Sequence, residues 1–267
     1  MSREFFEHGM NRLLETVQPG VLCAFDFDGT IAPLVDDPST ARIPPPLLRR
    51  LAALAEFAPV AVITGRSVED ISLNLDFFPH FLIGNHGIEG LSGEELHEER
   101  YRSNCRQWMQ KLRSAMIRAH CEPAIWIEDK VYSLAIHYRM VEDPLAAQRR
   151  LVDLVRRTTP DARVISGKCV LNLLPADAPD KGIALNELIS MIKAPAAIYV
   201  GDDVADETVF KLPRDRLLTI RVEEAQQTAA EFHLQDISAM DSFLDMLLER
   251  LKTVISADAA PASPAHR

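Results

Sequence analysis

The chain is short of the features that mark metal knuckles, membrane spans and nucleic-acid surfaces. Only four of its 267 residues are cysteine, and Cys23, Cys105, Cys121 and Cys169 fall at no paired spacing that would hold zinc. Scattered thiols fit a reducing compartment, so the chain is expected in the cytoplasm. The opening Met1-Ser2-Arg3-Glu4-Phe5-Phe6-Glu7-His8 carries charges where a secretory signal needs an apolar core. No apolar run approaches the ~20 residues of a spanning helix, so no membrane partner is expected. Positive charge is scarce too, with 29 Lys and Arg against 39 Asp and Glu and a net charge of −10. A nucleic-acid surface needs clustered cations, so no nucleic-acid partner is expected. There is no internal repeat, and nothing in the sequence names a protein partner. What is present is a chain with 47% hydrophobic and 25% charged residues. That is ordinary for a folded protein, and the length suits one large domain or two small ones.

Hydrophobic periodicity gives the organisation. Phe5, Phe6, Met10, Leu13, Leu14 and Val17 form one face of an N-terminal helix. Val21 to Phe25, Pro59 to Thr64, Phe81 to Ile83, Ala196 to Val200 and Leu217 to Ile220 read as strands, mostly buried. Prolines 44–46 open a helix through Leu54, Ser67 caps another through Leu73, and Met240 to Leu251 is a last helix. Alternating strands and helices of this kind predict an α/β fold with a Rossmann-like, doubly wound parallel sheet. Between its halves the pattern changes. A helix is expected from about Arg102 to Ala119. A strand pair follows at Ala124 to Glu128 and Tyr132 to Tyr138, then a helix from Pro144 to Arg157. Strands at Arg163 to Ile165 and Val170 to Leu174 complete a smaller antiparallel α/β unit. The expected division is a discontinuous core of residues 1–91 and 176–267 with an inserted cap of residues 92–175. From Ser256 onward the Ala/Pro/Ser-rich tail is expected to be disordered.

The polar clusters lie at the carboxyl ends of the expected parallel strands, where open α/β sheets bind ligands. Asp26 and Asp28 follow the first strand, Thr64 the second, His86 the third, and Asp202 and Asp203 the fourth. Two carboxylates one residue apart, entering a glycine turn, suit phosphoryl transfer through an aspartyl-phosphate. Asp26 is the expected nucleophile. Asp28 is the expected acid that protonates the leaving oxygen and the base that then activates water. Asp26, Asp28 and Asp202 form an oxygen-rich set suited to Mg²⁺, with Asp203 and Asp206 behind it. Thr64 offers a hydroxyl to the phosphoryl group, and Lys181 a point charge to both phosphate and nucleophile. A calcium loop is excluded, because Ile31 stands where its glycine would be. Ser166-Gly167-Lys168-Cys169 is no P-loop, lacking the upstream glycine and the hydroxyl after lysine.

Asp26-x-Asp28-Gly29-Thr30, Thr64, Lys181 and Gly201-Asp202-Asp203-x-x-Asp206 resemble, in order, the four signature motifs of the haloacid dehalogenase superfamily. Thr64-Gly65-Arg66, Gly84-Asn85-His86-Gly87 and His137-Tyr138-Arg139 are similar to the trehalose-6-phosphate phosphatase family in particular. The resemblance covers nearly the whole chain. It implies a Mg²⁺-dependent phosphatase for a sugar phosphate substrate, trehalose 6-phosphate. It also implies sugar and phosphate contacts from Gly65, Arg66, Asn85 and His86 in the core, and from Glu128, Lys130, Lys168 and Asn172 in the cap. Asn172 stands where the family shows glutamate, and a neutral amide accepts without charge and donates from nitrogen. The rival readings are a phosphatase for another glycosyl phosphate, such as glucosylglycerol phosphate, and a non-catalytic phospho-sugar-binding module.

Overall fold

The structure is a computed structural model and describes residues 2–91 and 95–258. The chain opens with β1 (Arg3–Glu4), α1 (Phe5–His8) and α2 (Met10–Thr16). It continues through β2 (Leu22–Phe25), α3 (Pro45–Ala55), β3 (Val60–Ile63), α4 (Val68–Ser72) and β4 (Phe81–Ile83). A second unit follows, made of α5 (Glu95–Arg118), β5 (Trp126–Asp129), β6 (Leu134–His137), α6 (Pro144–Thr158), β7 (Ala162–Gly167) and β8 (Val170–Pro175). The chain then returns through α7 (Lys181–Ile192), β9 (Ala197–Gly201), α8 (Glu207–Phe210), β10 (Leu217–Val222), β11 (Phe232–Leu234) and α9 (Ala239–Asp258).

The larger sheet runs β1-β11-β10-β9-β2-β3-β4, and every pair in it is parallel. Its central strands are apolar on both faces because helices cover both. Cys23, Phe25, Val62 and Val200 belong to the core that α3 and α9 close with Leu47, Leu51, Phe243 and Leu247. Their strand neighbours Leu22, Ala24, Ile63 and Tyr199 belong to the opposite core, closed by Leu185 and Leu188 of α7. The chain leaves β2 toward β3 and β4 but leaves β9 toward β10 and β11. Connections therefore part between β2 and β9, and a crevice opens at their carboxyl ends. Asp26 follows β2 there, its amide bonded to the Val200 carbonyl of β9 at 2.9 Å. The smaller sheet is antiparallel, in the order β5-β6-β8-β7. Trp108 and Leu112 of α5 and Leu151 and Val155 of α6 pack on Leu134, Ile136, Leu171 and Leu173.

Several elements differ from the sequence expectation. The N-terminal helix is broken at Gly9 and preceded by β1, which pairs with β11. Neither β1 nor β11 is signalled by its own residues; Arg3–Glu4 and Phe232–Leu234 give no apolar run, and pairing alone defines them. α5 starts before the expected Arg102, at Glu95, and α7 was not expected at all. Residues 256–258 of the expected disordered tail continue α9, and the rest of that tail lies outside the described residues.

The turn after β2 sets how closely β2 and β9 bring their acids together. Phe27 accepts from the amides of Thr30, Ile31 and Ala32, closing the loop on itself. Gly29 sits at φ +81°, and a Cβ there would fall 2.1 Å from Asp202 Oδ2. Gly29→Ala combines left-handed strain with that clash, and should cost about 2 kcal/mol or more of stability. Urea unfolding measures it; a midpoint equal to wild type would refute the close approach.

Candidate active site

Every residue expected in the site except Asn85 and Asp206 lines one cleft of about 1130 Å³, counted to its open mouth, between the two sheets. At its floor is Lys181. Asp180 caps α7 by accepting from the Ile183 amide at 3.0 Å, which places Lys181 at the first helical residue. Its ammonium lies 2.8 Å from Asp26 Oδ1 and 2.8 Å from Asp206 Oδ1. Asp206 also accepts from the Tyr199 hydroxyl at 2.7 Å, and its Oδ2 accepts from the Asp202 and Asp203 amides at 2.9 Å each. Both its oxygens are thus engaged by donors, and Asp206 is wholly buried. Burial would raise its pKa, but Lys181 and these donors outweigh it and hold it below the ordinary carboxylate range. Asp206 is therefore a fixed anion that positions Lys181 and the loop after β9. The Lys181 ammonium is held charged by the same contacts against the effect of burial.

Asp26, Asp202 and Asp206 have carboxylate oxygens within 4.8 Å of one another. Burial raises Asp26 well above its ordinary pKa, and Asp206 and Asp202 add to the rise while Lys181 opposes it. Burial and Asp206 likewise push Asp202 up to about 6, with Lys168 opposing. Buried acids that resist ionisation in this way form a donor set that a divalent cation would complete. Among the described residues, Asp206 is occupied by four donors, whereas Asp26 pairs with Lys181 alone and Asp202 with Lys168 and, at 3.4 Å, the Thr30 hydroxyl. Asp28, expected beside them as a ligand, lines the same cleft. Both Asp28 oxygens accept from Arg66, at 2.7 and 2.8 Å.

Arg66, which lines the cleft, has partners besides Asp28. It also donates to Asp70 and to the Pro38 carbonyl, at 2.8 Å each. Burial would lower its pKa, but Asp28 and Asp70 raise it. Thr64 is buried at the end of β3, its hydroxyl accepting from the Arg66 amide at 3.2 Å. Gly65 lies flat against His86, where a Cβ would come within 2.5 Å of the imidazole. His86 is buried, and neither ring nitrogen has a hydrogen-bond partner. Burial, Lys181 and Lys130 lower its pKa, against the neighbouring Asn172 side chain, so the ring is neutral. It offers the cleft one donor and one acceptor.

The smaller unit reaches the site through two turns. Lys168, on the β7–β8 turn, pairs with Asp202 at 2.8 Å and Glu223 at 3.3 Å. Gly167 beside it abuts the Asp203 carboxylate. Lys130, after β5, donates to the Gly65 carbonyl at 3.1 Å. Burial would raise Glu128, but a 2.8 Å contact with His137 Nε2 and the Lys130 charge lower it. Asn85 does not reach the cleft. Its amide donates to Glu89 and to the Lys130 carbonyl at 2.9 Å each and its oxygen accepts from Ser133, bracketing the β4 loop to the β5–β6 turn. Sequence reasoning missed Tyr199, Asp70 and Glu223 as partners, and Trp126 and Arg139 in the cleft wall. Of these, Arg139 left a trace in the His137-Tyr138-Arg139 segment, and Tyr199 as a lone hydroxyl in an aliphatic run two residues before Gly201.

The carboxylates predict a coupling of metal to pH. Asp202 is a weaker acid folded than unfolded, so its ionisation opposes folding; that penalty is absent below about pH 4 and complete above about pH 6. Asp26 has the same sign. Mg²⁺ should therefore raise the melting temperature more at pH 7 than at pH 5, where protons compete for the oxygens. The gain at pH 7 approaches about 2.7 kcal/mol at a hundredfold excess over Kd. Equal shifts at the two pH values would contradict the assignment.

Comparison with known proteins agrees with this geometry. The family model described as Trehalose-phosphatase matches residues 24–238. The chain is 30% identical to Trehalose-phosphate phosphatase B of Arabidopsis thaliana, across 88% of this chain and 68% of that one. It is 28% identical to the Trehalose-phosphate phosphatase of Mycobacterium tuberculosis, across 88% of this chain and 62% of that one. The chain thus spans about two thirds of the length of these relatives. Among solved structures, the C-terminal domain of C. albicans Trehalose-6-phosphate phosphatase superposes with a TM-score of 0.72 at 19% identity, over 93% of this chain and 98% of that one. At that identity the likeness speaks for the fold, which is the haloacid dehalogenase fold that the motifs implied. With its model matched across most of the sequence and these acids gathered in one cleft, the chain belongs to the trehalose-phosphatase family.

Proposed function

We propose that the protein hydrolyses trehalose 6-phosphate to trehalose and phosphate through an aspartyl-phosphate on Asp26. The observation that carries this reading is the Lys181 ammonium, 2.8 Å from Asp26 in a cleft that also holds Asp28 and Asp202. An Asp26 oxygen attacks phosphorus, and the bond from phosphorus to the sugar oxygen breaks. Asp28 gives that leaving oxygen its proton. For this, one Asp28 oxygen has to leave Arg66 and turn into the cleft. Asp28 then takes a proton from water, the water oxygen attacks phosphorus, and the bond to Asp26 breaks to release phosphate. Thr64 and Lys181 hold the phosphoryl oxygens and keep the line of attack. Mg²⁺, held by Asp26 and Asp202, would supply the remaining positive charge to the phosphoryl oxygens. Residues 92–175 serve as the cap, excluding water and bringing Glu128, Lys130, Lys168 and Asn172 to the sugar. The cytoplasm is the proposed site of action, consistent with Cys23 and Cys105 as buried free thiols.

Phosphate release from a panel of sugar phosphates, with Mg²⁺ and with chelator, tests the reading. Trehalose 6-phosphate should rank first and chelator should stop release. A higher rank for glucosylglycerol phosphate would move the substrate, and tight binding without release would make the protein a sensor. Asp26→Asn should lower turnover at least about 10⁴-fold while the fold persists, since it removes the nucleophile at little change in volume. Arg66→Lys loses the paired grip on Asp28 and should lower kcat about 10- to 100-fold with a smaller change in KM. Wild-type kcat in that variant would show that Asp28 needs no such holder.

A further inference from the structure

The cleft wall contributed by the smaller unit has a regular build. β5 is extended, so alternate residues share a face. Trp126, Glu128 and Lys130 all line the cleft, while Ile127 between them packs into the core of the smaller unit. The row has two chemically different ends. Lys130 is anchored at the core end, its ammonium on the carbonyl of Gly65, next to Thr64. Trp126 lies four residues away, about 13 Å along an extended strand. Its indole is stacked on the imidazole of His137, with ring centres 4.1 Å apart and planes at 16°. That imidazole is itself fixed by Glu128, at 2.8 Å. The indole is therefore held rigid against His137, yet 47% of the residue remains exposed at the cleft. A large exposed aromatic, stacked on one imidazole that is itself fixed, stands out beside the charged floor of the cleft. The same cleft also has apolar lining, from Leu34, Val35, Ala124 and Met140.

We infer that Trp126 is a specificity-determining residue: its open indole face is the platform on which the second, phosphate-free sugar ring of the substrate rests. This deepens the function proposed above and rests on it. The polar carboxylates and ammonium groups near Thr64 suit the phosphate and the hydroxyls of the first ring. The distance along β5 suits two linked pyranose rings and leaves a single ring short of Trp126. The apolar C–H face of a pyranose gains contact and loses little hydration on an indole. The strand is then a length gauge, fixed at the core by Lys130 and read at the far end by Trp126.

The test uses the full chain, with Trp126→Ala and Trp126→Phe, on trehalose 6-phosphate and on glucose 6-phosphate. Trp126→Ala should lower the ratio of kcat/KM for the disaccharide ester to that for the monosaccharide ester about tenfold, through KM rather than kcat. Trp126→Phe should restore most of it. An equal loss on both esters, a loss in kcat alone, or no loss would overturn the inference. A second measurement needs no turnover. The chain has two tryptophans, and Trp108 is buried. Trehalose alone should shift the wild-type indole emission to shorter wavelength, and the shift should vanish in Trp126→Phe. No shift at saturating trehalose, in protein that turns over trehalose 6-phosphate, overturns the platform. Wild-type protein that neither releases phosphate from trehalose 6-phosphate nor responds to trehalose removes the proposed function and the platform with it. Release that persists in Trp126→Ala at the wild-type ratio removes the platform alone.

Discussion

The site depends on one buried anion. Asp206 is fully enclosed, and its two oxygens take up an ammonium, a phenol and two backbone amides. An ionised carboxylate without such partners would be expelled from the interior or protonated. With them it becomes the point from which the rest is measured. It fixes Lys181 from one side, so that the same ammonium faces Asp26 from the other. It fixes the amides after β9, which brings the Asp202 carboxylate against Gly29 in the turn after β2. The nucleophile, its counter-charge and the second acid thus share a single reference, although they come from three distant parts of the chain. Removing Asp206 would leave Lys181 with one partner and the loop after β9 with two unbonded amides, so its contribution is collective rather than pairwise.

The sheet supplies the occasion for this arrangement. β2 and β9 are neighbours at the place where connections part, so the residues that follow them approach without crossing a helix. Only small residues can lie between them at that range. Gly29 is one, and Gly65, against the face of His86, does the same service at the end of β3. Close backbone approach and buried acids are therefore two aspects of one constraint: the cleft is narrow because charges must share partners, and it stays narrow because glycine gives them room.

This also explains which parts were legible in the sequence. Central strands buried on both faces announce themselves as aliphatic runs, and an acid or hydroxyl at the end of such a run has a fixed address. Asp26, Thr64 and Asp202 could be brought together on that basis, whereas Lys181 follows no such run and opens a helix. β1 and β11 could not, since Arg3–Glu4 and Phe232-His233-Leu234 form no aliphatic run and are defined by their neighbours. α7 was hidden because Gly182, a poor helix former, stands at its second residue, where it packs against the Thr208 carbonyl. Side-chain direction was hidden for a different reason. Asp28 shares a strand-end address with Asp26, yet it faces Arg66, 38 residues further on. Asn85 sits between Gly84 and His86 in a loop at the cleft edge of the sheet, yet its amide group is taken up by Glu89, the Lys130 carbonyl and Ser133. Spacing along the chain gives the position of a residue; the partner that claims its polar atoms is set only by the fold.

The two turns from the smaller unit meet the core on different terms. Asn85 and the Lys130–Gly65 contact are hydrogen bonds to fixed backbone or neutral groups, and nothing in the proposed reaction competes for them. Lys168 instead holds Asp202 Oδ2, an oxygen that a divalent cation would also use. An ammonium and a cation at one carboxylate repel by about 4 kcal/mol per unit of cation charge at 4 Å, with the effective screening of a partly buried site. They cannot both keep that oxygen without an anion between them. A phosphate dianion is such an anion, and it would let Lys168 exchange Asp202 for the substrate while the cation takes its place. Metal, substrate and the position of the β7–β8 turn are then linked through a single carboxylate. The bracket at Asn85 uses no group that this exchange would involve.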